Sequence, residues 1–360
     1  MNHFYLKYGT IISALGIGID DHLSAFSKNI SGVQRIDGSG FNKENWCLGK
    51  IKGLQGNRFE DLLKKSCEEL IKNTSAELLS SDRTLVIVSS TKADIDAIPS
   101  DMFQSTRDIL KSSLTIAHKP IIISNACISG VIAINTAAEY LATNRYDDVI
   151  IIGIDVLSDF VVFGFQSLFA MSDERARPFD AARKGISLGE ACGIVILSTK
   201  KGPEFSVEYC GGASSNDANH ISGPSRTGEG LVRAVERTFE RTGLKADAID
   251  FISAHGTGTL YNDEMESIAF NRLGMNTVPL NSMKAYFGHT LGAAGVIEVM
   301  MCMLSIEHNM IFKSLEYTNQ GTSCALNVIE KNSKQQINLV LKTASGFGGG
   351  NAALILKKSV

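Results

Sequence analysis

Short apolar runs rich in Val and Ile alternate with amphipathic stretches along the first half of the chain. The runs predict buried strands, and the amphipathic stretches predict helices because their apolar residues recur at helical spacing. The alternation indicates βαβ units and an α/β fold with helices on both faces of the sheet. The predicted strands are Thr84–Ser89, Ile121–Ser124, Val149–Ile154 and Gly193–Leu197, and the predicted helices are Phe59–Leu70 and Val131–Leu141.

The pattern starts again after about residue 200. Glu204–Gly211 is typical of a strand, Gly228–Thr242 of a helix and Ile249–Ala254 of a strand. Two longer segments also share one form, in which a strand is followed by a reactive residue, small residues and an apolar helix: IIISNACISGVIAINTAAEYL and VPLNSMKAYFGHTLGAAGVIEVMMCML. The sequence therefore predicts two similar halves, residues 1–200 and 201–360.

The composition fits a large folded unit and argues against nucleic acid as a general partner. Hydrophobic residues make up 44% of the 360, which is enough for a sizeable core. The formal net charge of −3 disfavours phosphate binding, which needs a concentrated positive face. The seven cysteines form no CxxC pair, so we expect neither a disulfide framework nor a metal site, and a reducing compartment fits best.

The sequence is not typical of a membrane protein or of a secreted one. The longest apolar region, Val149–Met171, is interrupted by Asp155 and Asp159, so it lacks the roughly 20 uninterrupted apolar residues of a membrane span. The start, MNHFYLKYG, lacks the features of a signal peptide. We therefore expect a cytoplasmic location and no membrane partner.

Cys127 occupies a predicted strand-to-helix turn. It follows the apolar run that begins at Ile121, and small residues after it lead into the predicted helix. The free N–H groups and partial positive charge of a helix start favour the thiolate, which is the nucleophilic form. The alternative is a buried structural cysteine, which is the better reading for most cysteines.

Two histidines change that balance for Cys127. His255 lies in FISAHGTGT and His289 in NSMKAYFGHTLGAAG, where Gly, Thr and Ala allow the backbone to approach a ligand closely. One such histidine is more often a core residue with satisfied hydrogen bonds. Two of them at Gly-flanked strand ends, together with a thiol, favour a nucleophile with partners that handle protons or stabilise an oxyanion.

These segments resemble the β-ketoacyl-acyl-carrier-protein synthases of the thiolase superfamily, and their Cys-His-His order is that of the elongating synthases. The resemblance covers the chain from its opening strand to its end, and Arg177–Glu190 (RPFDAARKGISLGE) also matches a family segment. The motifs that carry it are Cys127 in NACISG, His255 in AHGTGT, Lys284 and His289 in NSMKAYFGHTLGAAG, and Gly346–Asn351 as GFGGGN.

The fold that the resemblance implies is a thiolase-like α/β fold with two βαβαβαββ halves in five layers, α-β-α-β-α. The site would lie where the halves meet, and the helices after Cys127 and His289 would be buried between the sheets. Glu298 is then a carboxylate within an apolar helix, so it needs a partner. The resemblance supplies Lys284 as that partner, and a plain buried ion pair is the alternative to a catalytic role.

The activity that the resemblance implies is the decarboxylative condensation of an acyl thioester with malonyl-acyl-carrier protein, without a cofactor. Cys127 would be the nucleophile, and its backbone N–H and that of Phe347 would stabilise the acyl oxyanion. His255 and His289 would stabilise the enolate that forms as CO₂ leaves. Phe347 also matches the family's gate between acyl and malonyl pockets, although a glycine-rich turn here could be purely structural.

Further site residues follow from the same resemblance. Thr257 and Thr259 match positions that bind the pantetheine arm, and Glu266 matches a carboxylate that organises the site. Asp263 is expected only to cap the helix that follows, since Asp is ordinary at a helix start.

The partners that the resemblance implies are an acyl carrier protein, with its acyl and malonyl thioesters, and a second subunit. A homodimer is expected across a two-fold axis near the strand before Cys127, with a heterodimer as the alternative. Arg58, followed by Lys64 and Lys65, lies where the family has part of its basic docking surface. A solvated helix face is at least as good a reading for each of these three residues.

Departures from the family pattern favour a specialised substrate. The segment before Cys127 and the loop around Met171–Arg177 are shorter than in the housekeeping enzymes. Gly350 stands where the family usually has Thr, and Ile128 where it has Ala, Thr or Ser. We expect service in fatty acid, aryl polyene or polyketide synthesis. The alternatives are an acyltransferase without condensation and a scaffold subunit of a heterodimeric synthase.

Overall fold

The predicted apolar runs become strands of one large mixed sheet in the computed structural model, which describes residues 3–202, 205–217, 223 and 225–359. Two small sheets, β3-β4-β8 and β13-β14, lie apart from it. The strands are β1 Phe4–Ser13, β2 Gly16–Ile17, β3 Gln34–Ile36, β4 Trp46–Gly49, β5 Thr84–Ser89, β6 Ile121–Ile123, β7 Asp148–Asp155, β8 Leu188–Gly189, β9 Ala191–Ser198, β10 Val207–Asn216, β11 Phe251–Ser253, β12 Leu280–Asn281, β13 Met310–Ile311, β14 Ser333–Lys334, β15 Leu339–Ser345 and β16 Gly350–Lys358.

Helices connect these strands. The α-helices are α1 Gly18–Ser27, α2 Arg58–Asn73, α3 Ala76–Ser80, α4 Gln104–Leu114, α5 Ser129–Ala142, α6 Asp159–Ser167, α7 Glu229–Thr242, α8 Leu260–Arg272, α9 Lys284–Phe287 and α10 Ala294–His308. Short 3₁₀ turns are formed by Ile95–Ala97, Ala246–Ala248, Leu291–Ala293 and Phe347–Gly349.

The large sheet is a duplication. Its order is β12-β11-β15-β16-β10-β1-β9-β7-β5-β6, so each five-strand half has the same order read outward from the centre. The pairing directions repeat as well: β5 is parallel to β6 and β7, and β11 is parallel to β12 and β15, whereas the remaining pairs are antiparallel. Along the chain, each half runs βαβαβαββ, through α2, α4 and α5 in the first and α7, α8 and α10 in the second. The predicted duplication is confirmed.

The two halves share one continuous sheet because their central strands pair. Phe4, Tyr5 and Leu6 of β1 pair antiparallel with Tyr209, Glu208 and Val207 of β10. The observed strand β10, Val207–Asn216, begins and ends later than the predicted strand Glu204–Gly211. Glu204 itself lies outside the described residues.

The helices form three layers around the two halves of the sheet. α5 and α10 contact strands of both halves, so they lie between them, and their side chains form the largest buried cluster. α2 and α4 cover the outer face of the first half, and α7 and α8 cover that of the second. Residues Leu291–His308 are apolar and long enough to span a membrane by composition, but 89% of that segment is buried inside the protein, so it is a core helix.

Two glycines bring the buried helices into backbone contact. A Cβ on Gly130 would lie 2.7 Å from the backbone nitrogen of Val296, and a Cβ on Gly295 would lie 2.5 Å from that of Val131. Any larger residue would push α5 and α10 apart near their N-termini. This close approach places the turn before α5 beside the turn before α10, and those turns carry Cys127 and His289.

Candidate active site

The three residues predicted to do chemistry meet at one cavity. Cys127 precedes α5, His255 follows β11 and His289 precedes α10, and the cavity that they line has a volume of about 720 Å³. The sulfur of Cys127 and a nitrogen of each imidazole lie within 4.8 Å of one another. All three residues are buried. The site thus lies where the two halves meet, and each half contributes to it.

A tight turn presents Cys127 at the start of α5. Ala126 has a φ of 44°, in the left-handed region, so the chain reverses sharply before the cysteine. The Ser129 hydroxyl holds this turn, because it accepts a hydrogen bond from the backbone N–H of Asn125 (2.7 Å) and donates one to the carbonyl of Ala126 (2.7 Å). The backbone N–H of Phe347 also interacts with the cysteine.

Opposing effects act on the pKa of the Cys127 thiol. Burial raises this pKa to about 12, although the charge of Lys284 and the N–H of Phe347 oppose this. The expectation that the helix start favours the thiolate stays a prediction.

The hydrogen bonds of the two imidazoles define their tautomers. Lys284 Nζ lies 3.3 Å from Nδ1 of His255, and the backbone N–H of Leu291 donates to Nδ1 of His289 at 3.3 Å. Both Nδ1 atoms thus accept, so Nε2 carries the proton in each ring. Nε2 of His289 has no hydrogen-bond partner among the described residues.

Both imidazoles are neutral in this environment. Burial and, after it, the charge of Lys284 lower the pKa of His255 and of His289 well below the usual value. The rings meet edge to face with their centroids 5.2 Å apart. Two neutral Nε2–H donors beside a thiol can stabilise negative charge on a thioester oxygen.

Behind the imidazoles, two buried lysines share one carboxylate. Lys284 Nζ lies 2.7 Å from Oε1 of Glu298, which confirms the predicted pair, and it donates to the carbonyl of His255 at 2.6 Å. Lys342 Nζ lies 2.6 Å from Oε2 of Glu298. Lys342 was not predicted from the sequence. Its signal was a charged residue within the apolar run LVLKTAS, since such a residue needs a buried partner.

Glu266 and the two threonines lie where the resemblance placed them relative to His255. The Glu266 carboxylate accepts the backbone N–H groups of His255 (2.8 Å) and Gly256 (2.6 Å), and burial raises its pKa to about 7. The hydroxyls of Thr257 and Thr259 are 2.9 Å apart, and both residues line the cavity. Their role in binding pantetheine stays a prediction.

Asp263 has more than the capping role that the sequence suggested. Its carboxylate accepts the backbone N–H groups of Thr257 (2.9 Å), Gly258 (3.1 Å) and Phe179 (2.7 Å), and so fixes the loop after His255. The side chain that caps α8 is instead Thr259. Asp263 thus binds backbone groups of the loop instead of the N-terminus of the helix. Residue preferences at helix N-caps do not predict such contacts.

Phe347 lies on the glycine-rich turn at the cavity wall. Its ring is 37% exposed and stacks on Phe165, with centroids 5.4 Å apart. Gly348 and Gly349 follow at φ values of 81° and 79°, which only glycine adopts readily. The gating role of Phe347 stays a prediction.

The predicted docking residues lie on α2, and Arg58 is not free there. Its guanidinium donates to the buried carboxylate of Glu190 and to the carbonyl of Ile51 (3.0 Å). Lys64 and Lys65 form surface ion pairs one turn along their own helix. Arg58 thus forms an internal ion pair while its side chain stays 25% exposed, and its role in docking stays a prediction.

Cys127, His255 and His289 are also spaced so that a metal ion could reach all three after small movements. Zinc would need ligand atoms at about 2.0–2.3 Å, with the thiol deprotonated. The expectation of a metal-free site stays a prediction.

Two family descriptions match consecutive parts of the chain. Residues 112–202 match the beta-ketoacyl synthase N-terminal domain, and residues 207–318 match the beta-ketoacyl synthase C-terminal domain. The two matches include Cys127, His255 and His289.

Curated relatives are similar over about two thirds of this chain. The 3-oxoacyl-[acyl-carrier-protein] synthase 2 of Rhizobium meliloti (strain 1021) is 33% identical over 250 residues, which are 65% of this chain and 59% of that protein. The tetracenomycin polyketide synthase ketoacyl synthase alpha subunit of Streptomyces glaucescens is 32% identical over 66% of this chain and 59% of its own length. The matched region thus spans about three fifths of these relatives.

Solved structures match over nearly the full chain. The ketosynthase ApeO in complex with its chain length factor ApeC, from Xenorhabdus doucetiae, superimposes with a TM-score of 0.89 at 26% identity, covering 99% of this chain and 98% of that one. A beta-ketoacyl synthase from Burkholderia phymatum STM815 gives a TM-score of 0.90 at 24% identity over the whole of both chains. The fold is the thiolase-like fold of ketosynthases.

Proposed function

Because the chain belongs to the β-ketoacyl synthase family, we propose that it condenses an acyl thioester with malonyl-acyl-carrier protein in fatty acid, aryl polyene or polyketide-type synthesis. The observation that carries this proposal is the cluster of one thiol and two neutral Nε2–H imidazoles at a single cavity. That cluster offers a nucleophile on one side and two fixed donors on the other.

In the first half-reaction Cys127 accepts the acyl group. Its sulfur attacks the thioester carbonyl, the bond to the carrier's sulfur breaks, and the thiol proton of Cys127 leaves with that sulfur. The carbonyl oxygen becomes negative in the transition state. The backbone N–H groups of Cys127 and Phe347 are the donors proposed for it, since Phe347 N–H already points at the cysteine.

In the second half-reaction malonyl thioester loses CO₂. The electron pair of the breaking C–C bond forms an enolate, whose oxygen receives hydrogen bonds from Nε2–H of His255 and His289. The enolate carbon then attacks the acyl carbonyl on Cys127, and the thiolate leaves. Neutral imidazoles suit this step because they donate without offering a proton as acidic as that of imidazolium.

The walls of the cavity suit a thioester with an apolar chain. Apolar and aromatic side chains line it, and the hydroxyls of Thr257 and Thr259 are placed to bind the polar pantetheine arm. The lining side chains that would contact an acyl chain include Phe165, Leu168, Phe169, Ile186 and Tyr261.

The proposed partners are an acyl carrier protein and a second subunit. β6 ends the large sheet, so its outer edge is available for pairing with another chain. We propose that two copies of the chain pair across this edge to form a homodimer. Within each subunit, residues 1–200 and 201–360 would form the two halves. A ketosynthase bound to a chain length factor is among the similar structures, which supports a heterodimer as the alternative. The proposed location is the cytoplasm, with neither nucleic acid nor membrane as a partner.

Mass spectrometry after incubation with acyl-carrier proteins of several chain lengths tests the proposal. We expect an acyl adduct on Cys127, and 3-ketoacyl-carrier protein after malonyl-carrier protein is added. The Cys127→Ala variant is the control and should show neither. An adduct without condensation would favour a simple acyltransferase, and the absence of any adduct would favour a scaffold subunit.

A further inference from the structure

Lys342 is a charged residue near the site to which the two proposed half-reactions give no role. It lies on β15 with its side chain fully buried, and it is not among the described residues that line the cavity. Its ammonium lies 2.6 Å from Glu298 and donates to the carbonyls of Ser253 (3.2 Å) and Ala254 (3.3 Å). Three acceptors surround it, as expected for a charged ammonium.

Lys284 has the same kind of surroundings. Its ammonium is within hydrogen-bond distance of Glu298 Oε1, the carbonyl of His255 and Nδ1 of His255. Both lysines therefore have acceptors suited to an ammonium group, and they share one carboxylate. Burial lowers the pKa of Lys284, and the charge of Glu298 opposes this. Burial by itself raises the pKa of Glu298, but the charges of Lys284 and Lys342 outweigh it and lower that pKa below its usual value.

The three groups together carry one more positive charge than negative. Burying a cation without its own counter-ion costs free energy. A protein that keeps such a charge is expected to gain a function from it. Its position suggests one, because Ser253 and Ala254 lead directly into His255 and Lys284 touches the His255 ring.

We propose that Lys342 is a positioning residue for the two imidazoles: it holds the backbone that leads into His255, and its charge, added to the Lys284–Glu298 pair, keeps both rings neutral with the proton on Nε2. An imidazolium would also carry a proton on Nδ1. That atom would then face the Lys284 ammonium in His255 and the Leu291 N–H in His289, both of which are donors. This inference rests on the proposed function of the histidines.

Other ionisable groups around the imidazoles modify the charge but do not cancel it at acidic pH. Glu266 faces them from α8, and because burial raises its pKa to about 7, it is largely uncharged under acidic conditions. Asp263, also on α8, has its pKa raised by burial. The charged and titratable groups around the site are Cys127 before α5, Asp155 on β7, Arg183, Asp263 and Glu266 from the side of α8, Lys284 on α9, Glu298 and Cys302 on α10, Lys342 on β15, and Lys184, Arg226 and Tyr261 on the cavity wall.

Lys342→Met tests the proposal, because it removes the extra charge but leaves Glu298 paired with Lys284. We expect the kcat for malonyl-carrier-protein decarboxylation to fall about tenfold, less than for loss of a direct oxyanion donor. KM should not change, and the acidic limb of the pH–kcat profile should move to higher pH. Lys357→Met is the matched control, since Lys357 lies on the adjacent strand in an exposed pair with Glu208. It should change neither quantity.

The double variant Lys342→Met/Glu298→Gln separates charge from packing. The single variant leaves the triad neutral, whereas the double variant restores one net positive charge through Lys284. If charge keeps the imidazoles neutral, the acidic limb of the double variant should return toward that of the wild type. If it stays where the single variant has it, the role assigned to the charge of Lys342 is wrong.

Histidine ¹³Cε1–¹Hε1 chemical shifts followed against pH give a readout that does not need turnover. In the wild type, His255 and His289 should stay neutral down to the lowest pH at which the protein is folded. In Lys342→Met they should begin to protonate at higher pH, and identical titration curves would overturn the inference. A shifted titration in a protein that never decarboxylates malonyl thioester would instead refute the proposed function.

If Lys342→Met does not fold, Lys342→Gln, which can still donate to the backbone carbonyls, carries the same test.

Discussion

A Cβ atom on Gly350 would lie 2.7 Å from Cδ1 of Ile128, so these two residues occupy one space between them. Both residues differ from those usual in the family: Gly350 is smaller than the usual Thr, and Ile128 is larger than the usual Ala, Thr or Ser. Gly350 has φ −68° and ψ 132°, a conformation open to any residue, so backbone strain does not explain the glycine. Ile128 is buried in the central core, next to the nucleophile. The larger Ile128 fills the room that the missing side chain leaves.

This pairing predicts that the two positions are coupled. Gly350→Thr should destabilise the wild type by about 1–2 kcal/mol, because Ile128 is packed and can move little. The same change in an Ile128→Ala background should cost much less or should stabilise, since Ile128→Ala alone leaves a cavity. Chemical denaturation of the four proteins of this cycle measures the coupling energy. Additive effects would mean that the two departures are unrelated.

Cys127→Ala should abolish acyl transfer and leave the fold intact. Alanine keeps the Cβ within the tight turn and removes only the sulfur, so the free energy of unfolding should change by about 1 kcal/mol or less. Intact-protein mass spectrometry should show no acyl adduct. Cys67→Ala is a suitable comparison, because Cys67 is a buried cysteine on α2, which covers the outer face of the first half. That variant should still be acylated, and an adduct on Cys127→Ala would remove Cys127 as the nucleophile.

His255→Ala and His289→Ala should each lower the rate of malonyl decarboxylation by about 10²–10³, the usual cost of losing one oxyanion donor. The effects should not add in the double variant, since both rings serve the same oxygen. Acylation of Cys127, measured separately, should be reduced far less. His118→Ala is the control, because His118 is a half-buried ring away from the cavity, bound to the carbonyl of Asp82. A wild-type rate in either histidine variant would exclude that residue from the step.

The sequence was informative where function depends on local motifs. The turns that carry Cys127, His255 and His289 are built from residues adjacent in the chain, and the repeat of strands and helices follows from hydrophobic periodicity. The errors arose where distant residues decide. The environment of Cys127 is likewise set by distant residues, because burial of the thiol depends on how α5 packs between the sheets.

The same distinction explains the residues that were missed or misassigned. Lys342 lies on a strand whose partner carboxylate is on α10, and Asp263 reaches across a loop to backbone groups that no local pattern specifies. Arg58 begins α2, and its internal partner Glu190 lies far along the chain. Pairings of this kind arise from the tertiary fold and leave only a weak signal, such as a charge in an apolar run.

Arg58→Met should destabilise the protein rather than weaken docking alone. It would leave the fully buried Glu190 carboxylate without its cation, at a cost of about 3 kcal/mol. Adding Glu190→Gln should recover part of that stability. Lys64→Met, which removes a surface pair on the same helix, should cost only about 0.5 kcal/mol.

The kinetics of Arg58→Met distinguish the internal role from docking. Because Arg58 acts through the fold, its loss should affect an acyl-carrier protein and a small acyl-pantetheine thioester equally. A rise in KM for the carrier protein alone, without loss of stability, would restore Arg58 to a docking surface.

Glu266 should make stability fall as the pH rises through the weakly acidic range. Burial raises the pKa of this carboxyl to about 7 in the folded protein, whereas in the unfolded chain it has its ordinary value near 4.5. Between those values the folded state binds more protons than the unfolded state, so the free energy of unfolding decreases with pH. Glu266→Gln lacks this titration but keeps a side-chain oxygen for the N–H groups of His255 and Gly256. The difference in unfolding free energy, wild type minus Glu266→Gln, should therefore fall between about pH 4.5 and pH 7 and level off above that range. Parallel stability curves for the two proteins would mean that the backbone N–H groups hold Glu266 ionised throughout, and that its pKa is not raised.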